Sequence, residues 1–341
     1  MIQYPKPLKK GGTIGVTAPS SGVEEELHPI LKEAIQQFER RDFSMLVGET
    51  AWTQSEAASA PAEKRASELT SMLQNPDVSA IIPPWGGEIL MEILPLIDWD
   101  KLQPKWILGY SDTSTLLFSI TIKTGIATAH GTNLVDLRSD KWDSVTSKFM
   151  DVLTGTAGDT IIQFSSEKYQ SEWNHDRIPD PYVYNLDSPT EWKTIDGKPA
   201  KLAGRLLGGC IDTIQPLVGT PYGDVQGFRE KYLNGKENIL WYFENCEMTS
   251  TDFYRALLQM HYAGWFEQSG GIIFGRTAAG QEVEGFTSEE AMKRLSAKTG
   301  LPIVYDADIG HVPPQVILVN GAWAEVEVSG GKAQMSMKLA E

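Results

Sequence analysis

The chain has 341 residues, 41% hydrophobic and 22% charged, with 45 acidic against 30 basic side chains and a formal net charge of −15. That length suits two domains, each with its own core, and the composition is globular rather than disordered or collagenous. An acidic surface repels nucleic-acid phosphate and anionic bilayers, and no apolar run approaches the ~20 residues of a membrane helix.

The basic residues near Met1 have no apolar stretch behind them, so no secretion signal is expected and the cytoplasm is the expected compartment. Two distant cysteines, Cys210 and Cys246, form no C-x-x-C pair and fit a reducing environment without a disulfide. Five histidines, none at H-x-x-x-H spacing, give little support for zinc, and no metal or cofactor is called for.

In chain order, Thr13–Ala18 reads as a strand stopped by Pro19-Ser-Ser-Gly22, and Leu27–Phe38 as an amphipathic helix. Ser44–Val47 is a strand, Ala60–Leu73 a helix closed by Asn75-Pro76, and Val78–Ile82 a strand ending in Pro83-Pro-Trp-Gly-Gly87. Ile89–Ile97 is helical, Trp106–Leu108 a strand and Thr113–Lys123 a helix. Strands alternating with helices predict a doubly wound, Rossmann-like parallel sheet over residues 1–155.

Residues 156–200 are polar and proline-containing and read as a linker or functional loop. From 201 to 341 a second, β-rich mixed α/β domain is expected. Its strands are Lys201–Leu206, Ile239–Phe243, Gly271–Phe274, Ile303–Tyr305, Val316–Val319 and Trp323–Val328. Its helices are Ile211–Leu217, Thr251–Ala263 and Ser288–Thr299, and its last strands alternate as mixed or antiparallel pairs do.

Three places could carry chemistry. Ser111, in Gly109-Tyr-Ser111-Asp-Thr, lies between a strand and a helix, where a sharp turn exposes a hydroxyl; equally, Ser111 or Asp112 is only that helix's N-cap. Glu244 follows a strand, where ligands gather in parallel sheets, or is a solvated turn acid. His311 follows another strand in a Gly/Pro-stiffened loop, as a general base or as a loop residue with no role. Asp306, Asp308 and His311 could also be read as metal ligands, but a fourth ligand and supporting spacing are missing. Gly86-Gly87 could offer bare N–H groups to an oxyanion, and Gly208-Gly209 could let a substrate approach backbone at a helix start; each pair is otherwise a turn.

Ser111, Glu244 and His311 run in the order nucleophile, acid, base, each just past a strand. Together with Gly12-Thr-Ile-Gly-Val-Thr-Ala-Pro-Ser20, Trp85-Gly-Gly87, Leu94-Pro-Leu-Ile-Asp98, Lys105-Trp-Ile-Leu-Gly-Tyr-Ser-Asp112, Gly204-Arg-Leu-Leu-Gly-Gly209 and Asp308-Ile-Gly-His311, they cover nearly the whole chain. With these motifs the sequence resembles the LD-carboxypeptidase family of serine peptidases, which includes the microcin C immunity hydrolases.

The resemblance implies a Ser-Glu-His triad across an interdomain cleft and a homodimer. Ser111 would be the nucleophile, His311 the base and then acid, and Glu244 the orienter. The N–H groups of Asp112 and of Gly86 or Gly87 would form the oxyanion hole. Trp85, Gly208, Gly209, Cys210 and Asp212 would lie along the substrate pocket, with Cys210 where relatives often carry Asn. The implied substrate is a small peptide, such as a murein tetrapeptide, or an aminoacyl group amide-linked to a nucleotide. The length of the 156–200 loop favours the nucleotide, on whose base Trp173 or Trp192 could stack; packing of the loop is the alternative. A non-catalytic binding protein on the same scaffold remains a second class. An ordinary α/β-hydrolase fits less well, since Thr113 stands where that motif wants Gly.

Overall fold

The computed structural model of the protein describes residues 1–172, 178–233 and 235–339. β1 (Thr13–Val16), α1 (His28–Glu39), β2 (Ser44–Val47), α2 (Ala62–Gln74), β3 (Val78–Ile81), β4 (Trp106–Gly109), α3 (Thr113–Thr124), β5 (Thr128–His130) and α4 (Lys148–Thr154) come first. β6 (Thr160–Phe164), β7 (Lys168–Tyr169), β8 (Ser188–Pro189) and β9 (Lys193–Thr194) follow. The remainder is β10 (Ala200–Cys210), α5 (Ile211–Ile214), α6 (Val225–Tyr232), β11 (Ile239–Glu244), α7 (Ser250–Tyr262), β12 (Ser269–Gly275), α8 (Ser288–Thr299), β13 (Ile303–Ala307), β14 (Leu318–Asn320), β15 (Trp323–Ser329) and β16 (Lys332–Lys338).

Among the described residues a six-stranded sheet runs β14-β5-β4-β3-β1-β2, parallel except for β14. An eight-stranded mixed sheet runs β6-β16-β15-β10-β11-β12-β13-β9, with β10 to β13 parallel. This is the expected mixed α/β architecture. The sheets exchange chain: β6, from the supposed loop, joins the second sheet, and β14, from near the end, closes the first. Helix α3 lies between them, packed on β5 and β10, with every residue from Thr113 to Ile122 buried. That explains its weak amphipathic pattern, since a helix covered on all sides carries no polar face.

Several elements depart from expectation for identifiable reasons. Ile89–Ile97 forms a 3-10 stretch, Leu90–Leu96, because Pro95 interrupts α-helical bonding. In β6 the pattern is inverted: Ile162 and Phe164 face outward while Gln163 faces the core. The Gln163 amide donates to Ile317 O (2.7 Å) and accepts from Ile317 N (2.9 Å), standing in for a backbone pair. β10 continues four residues beyond Leu206 because its glycines allow close packing. A Cβ on Gly208 would lie 1.7 Å from the Tyr242 carbonyl oxygen, and one on Gly209 2.7 Å from Ser114 Cβ. β5 and α6 carry no strong signal of their own and are read only from the fold, whereas β16 was not anticipated although Ala333, Met335 and Met337 alternate inward along it.

Candidate active site

Strand β4 is buried along its length between β3 and β5, and it ends at Gly109. A Cβ there would meet Thr113 Cγ2 at 2.8 Å and Asn133 Oδ1 at 3.0 Å, so only glycine lets the chain turn this tightly into α3. Two residues on, Ser111 has φ +61°, a left-handed conformation that costs a side-chain-bearing residue of order 1–3 kcal/mol. The turn is held by Ser114 N donating to Ser111 O (2.8 Å). Asp112 does not cap α3; its buried carboxylate accepts from Ser20 Oγ (2.5 Å), Leu90 N (2.8 Å) and Thr115 Oγ1 (3.2 Å). It thereby ties the loops after β1 and β3 to the serine turn.

Glu244 is the last residue of β11 and is fully buried, while His311 lies in the loop leaving β13. His311 Nδ1 lies 2.8 Å from Glu244 Oε2 and Nε2 3.1 Å from Ser111 Oγ; in the neutral tautomer with the proton on Nδ1, Nδ1 donates to Glu244 and Nε2 accepts from Ser111 Oγ. Three groups that are 67 and 200 residues apart in sequence thus form one relay. Burial opposes charge on His311. The Glu244 carboxylate and hydrogen bonds to Cys246 and Glu244 outweigh it and hold the imidazole well above the usual histidine range. Burial likewise works against ionised Glu244, but the charge and hydrogen bond of His311 hold its carboxyl below the usual range. Titratable groups facing His311 also include Asp136 and His130. The Tyr110 ring packs edge-on against His311 at 4.9 Å.

A cavity of about 430 Å³ opens at Ser111, lined by Trp85, Gly86, Gly87, Tyr110 and His311, and by Ser21, Gly22, Glu24, Leu27, Gln54, Asn133, Val135 and Asp136. Gly86 presses on the serine: a Cβ there would lie 2.5 Å from Ser111 Cβ and 3.0 Å from Asp112 N. Among the described residues neither the Gly86 N–H nor the Asp112 N–H has a hydrogen-bond partner. Two bare donors flanking one hydroxyl can stabilise an oxyanion formed there. Trp85 is fixed by its indole N–H donating to Gly22 O (3.0 Å).

Other expected pocket residues lie elsewhere. Gly208 and Gly209 are packing glycines of β10, away from the cavity lining. Cys210 is buried, with its thiol against the Asp212 and Glu244 carboxylates, and burial pushes it well above the usual thiol range. Asp212 accepts from the N–H groups of Cys246, Glu247 and Met248 and shapes the turn after Glu244. Trp192 is 2% exposed and its indole N–H donates to Asp308 Oδ2 (2.9 Å), which leaves no free ring face for a base. The packing alternative therefore holds for Trp192, and Trp173 lies outside the described residues. Asp306 pairs with Lys193 (2.9 Å) and Asp308 with Arg276 (2.6 Å), so neither joins His311 as a ligand set. Asn133 and Asp136 were not anticipated; identifying β5 as a strand would have flagged the loop after it.

The N-terminal domain of LD-carboxypeptidases matches residues 14–131, and the C-terminal domain of the same family matches residues 203–326. A Vibrio cholerae protein named as a carboxypeptidase is 27% identical over 340 residues, 95% of each chain. The microcin C7 self-immunity protein MccF of Escherichia coli is 24% identical over 92% of this chain and 90% of its own. A structure of MccF with glutamyl sulfamoyl guanosine superposes with a TM-score of 0.83 over 99% of both chains. A muramoyltetrapeptide carboxypeptidase from Oxalobacter formigenes superposes at 0.71, covering 96% of this chain and 98% of its own. Matched in both halves by one family's domains, this chain belongs to the LD-carboxypeptidase family of serine peptidases.

Proposed function

We propose that the protein hydrolyses an amide by a Ser111-His311-Glu244 triad. The relay at 3.1 and 2.8 Å, assembled from two sheets beside an open cavity, is the observation that carries the reading. Ser111 Oγ attacks the carbonyl carbon while His311 Nε2 takes its proton, and Glu244 stabilises the imidazolium. The N–H groups of Asp112 and of Gly86 or Gly87 hold the oxyanion. Collapse passes the proton from His311 to the leaving amine, and water then releases the acyl group by the same steps. In this reading residues 1–155 supply the nucleophile and 201–341 supply acid and base, while 156–200 link the two and add strands to the second sheet.

For the substrate we favour an aminoacyl group amide-linked to a nucleotide-like moiety, with the enzyme acting in immunity or detoxification. Support comes from the whole-length similarity to MccF, whose structures hold aminoacyl sulfamoyl nucleosides. Murein tetrapeptide trimming is the second reading. It is favoured by the similarity to the muramoyltetrapeptide enzyme and by the burial of Trp192, which removes one candidate stacking ring. We place the enzyme in the cytoplasm as a homodimer, which sedimentation of the purified protein checks.

The test is a hydrolysis panel of aminoacyl sulfamoyl-adenylates against murein tetrapeptide, each with wild type and Ser111→Ala. Cleavage of the adenylates alone supports the first reading, and cleavage of the tetrapeptide alone supports the second. Binding without cleavage of either would return the chain to the non-catalytic class.

A further inference from the structure

We propose that Asp308 is a positioning residue for His311, a buried carboxylate through which Ser166, Trp192 and Arg276 set where the base sits. The inference rests on the triad reading. Asp308 is fully buried, and four donors converge on it. Oδ1 accepts from Ser166 Oγ (2.7 Å) and Arg276 Nη2 (2.6 Å). Oδ2 accepts from Ser166 N (2.8 Å) and Trp192 Nε1 (2.9 Å). Because the Ser166 hydroxyl spends its single proton on Asp308, it accepts from Thr190 Oγ1 (2.5 Å), extending the grip by one more side chain.

The loop that carries His311 is pinned on both sides of the histidine. Asp308 O accepts from Val316 N and Pro313 O from Gln170 N, both at 2.8 Å. Arg276 reaches Asp306 O (3.3 Å) and Val312 O (3.5 Å) while its guanidinium stacks 4.2 Å over Tyr169. Gly310, at φ +92°, lies flat against Glu244, where a Cβ would come within 2.5 Å of the Glu244 Cβ. None of the Asp308 donors is bonded to Ser111 or Glu244, so the network reaches the chemistry only through the histidine loop. The Ser111–His311 contact at 3.1 Å is at the long end for a hydroxyl donor, and misplacement by ~1 Å costs about 10²-fold in rate.

Trp192→Phe keeps the ring and removes one donor; Asp308→Asn keeps the shape and removes the charge that gathers Arg276, Ser166 and Trp192. With whichever substrate the wild type cleaves, kcat should fall about 3- to 10-fold in the first and about 100-fold in the second, with KM within about 2-fold. The acid limb of kcat/KM should move to lower pH in both, because a displaced imidazole loses part of its hold on Glu244. The ring carbon shifts of His311, followed by NMR titration, should report the same movement. A lowered Tm with kcat and the acid limb unchanged would reduce Asp308 to packing and overturn the proposal, as would wild-type behaviour in every measurement. If Asp308→Asn does not fold, Trp192→Phe alone decides by the same criteria. Ser111→Ala separates the two levels. Full activity in it overturns the triad, whereas its inactivity beside unaffected Trp192→Phe and Asp308→Asn overturns only this inference.

Discussion

The two halves of the relay are held in place by different means. Ser111 is fixed by backbone: a buried strand, a glycine that admits a tight turn, a left-handed φ and a helix start, all within Trp106–Ser114. His311 is fixed by side chains gathered from residues 166, 192 and 276 around Asp308. A nucleophile set by local backbone tolerates little change in the atoms that touch it. A base set by a remote network is sensitive to substitutions far from the cavity. The largest expected effects break the relay itself. Ser111→Ala and His311→Ala should each lower kcat by several orders of magnitude with the fold intact, and the double variant should be little worse than either, since triad members act as a unit. Additive losses in steady-state kinetics would argue against one shared mechanism.

The backbone side can be challenged next through Gly86. Its φ is not in the left-handed region, so alanine is conformationally allowed; the obstacle is space, with Ser111 Oγ only 2.8 Å from the new Cβ. Gly86→Ala should lower kcat about 10²- to 10³-fold by displacing the serine or spoiling the oxyanion site, with a lowered Tm because the serine turn must shift to admit the Cβ. Near-wild-type turnover would place the oxyanion donors elsewhere.

The side-chain half can be sharpened with pH. The base must be neutral to accept the serine proton, and its ionisation in the free enzyme lies well above the usual histidine range. The acid limb of kcat/KM should therefore fall above pH ~6.5, the ordinary histidine value. Glu244→Gln removes the anion that favours the imidazolium, so kcat should drop while the limb shifts to lower pH. A limb that does not move would mean that Glu244 does not govern the protonation of His311.

This difference in construction also decides what could be read from sequence. The Ser111 turn is contiguous, so Gly109-Tyr-Ser-Asp112 exposes it directly, and the parallel sheet beneath it follows from alternating strands and helices. Glu244 and His311 were identifiable as strand-end residues, but their meeting came only from the resemblance to a known family, because a contact across 67 residues leaves no local pattern. The role of Asp308 was invisible: three of its four donors come from residues 156–200, which read as loop because β6 turns its glutamine inward and its phenylalanine outward. For Trp192 stacking and packing were both open from sequence, and its burial favours packing; Gly208-Gly209 were expected in the pocket through the family resemblance, and in the fold they seat β10 against Tyr242 and Ser114.

The smallest expected effect concerns a group neither half uses. His130 ends β5, fully buried between the rings of Tyr110 (6.4 Å) and Tyr242 (5.3 Å), and among the described residues neither ring nitrogen has a partner. Burial, only partly offset by Glu244, pulls its pKa from 6.5 down to about 4. Between those values the unfolded chain binds a proton that the native chain refuses, so acidification drains stability at ~1.4 kcal/mol per pH unit, about 3 kcal/mol over the window. His311 does not mask this. Its folded pKa is raised, so its stabilising effect is fully present below pH ~6.5 and is lost only as pH rises through the folded value. Glu244, with a lowered pKa, stabilises above its unfolded value near 4.3 and loses that contribution only at more acid pH. Urea unfolding from pH 6.5 to 4.5 should therefore show a falling midpoint in wild type and a flatter one in His130→Leu, whatever that substitution costs at neutral pH. Parallel curves for the two proteins would mean that His130 is protonated in the folded state, and that the centre of the molecule is wetter than its packing implies.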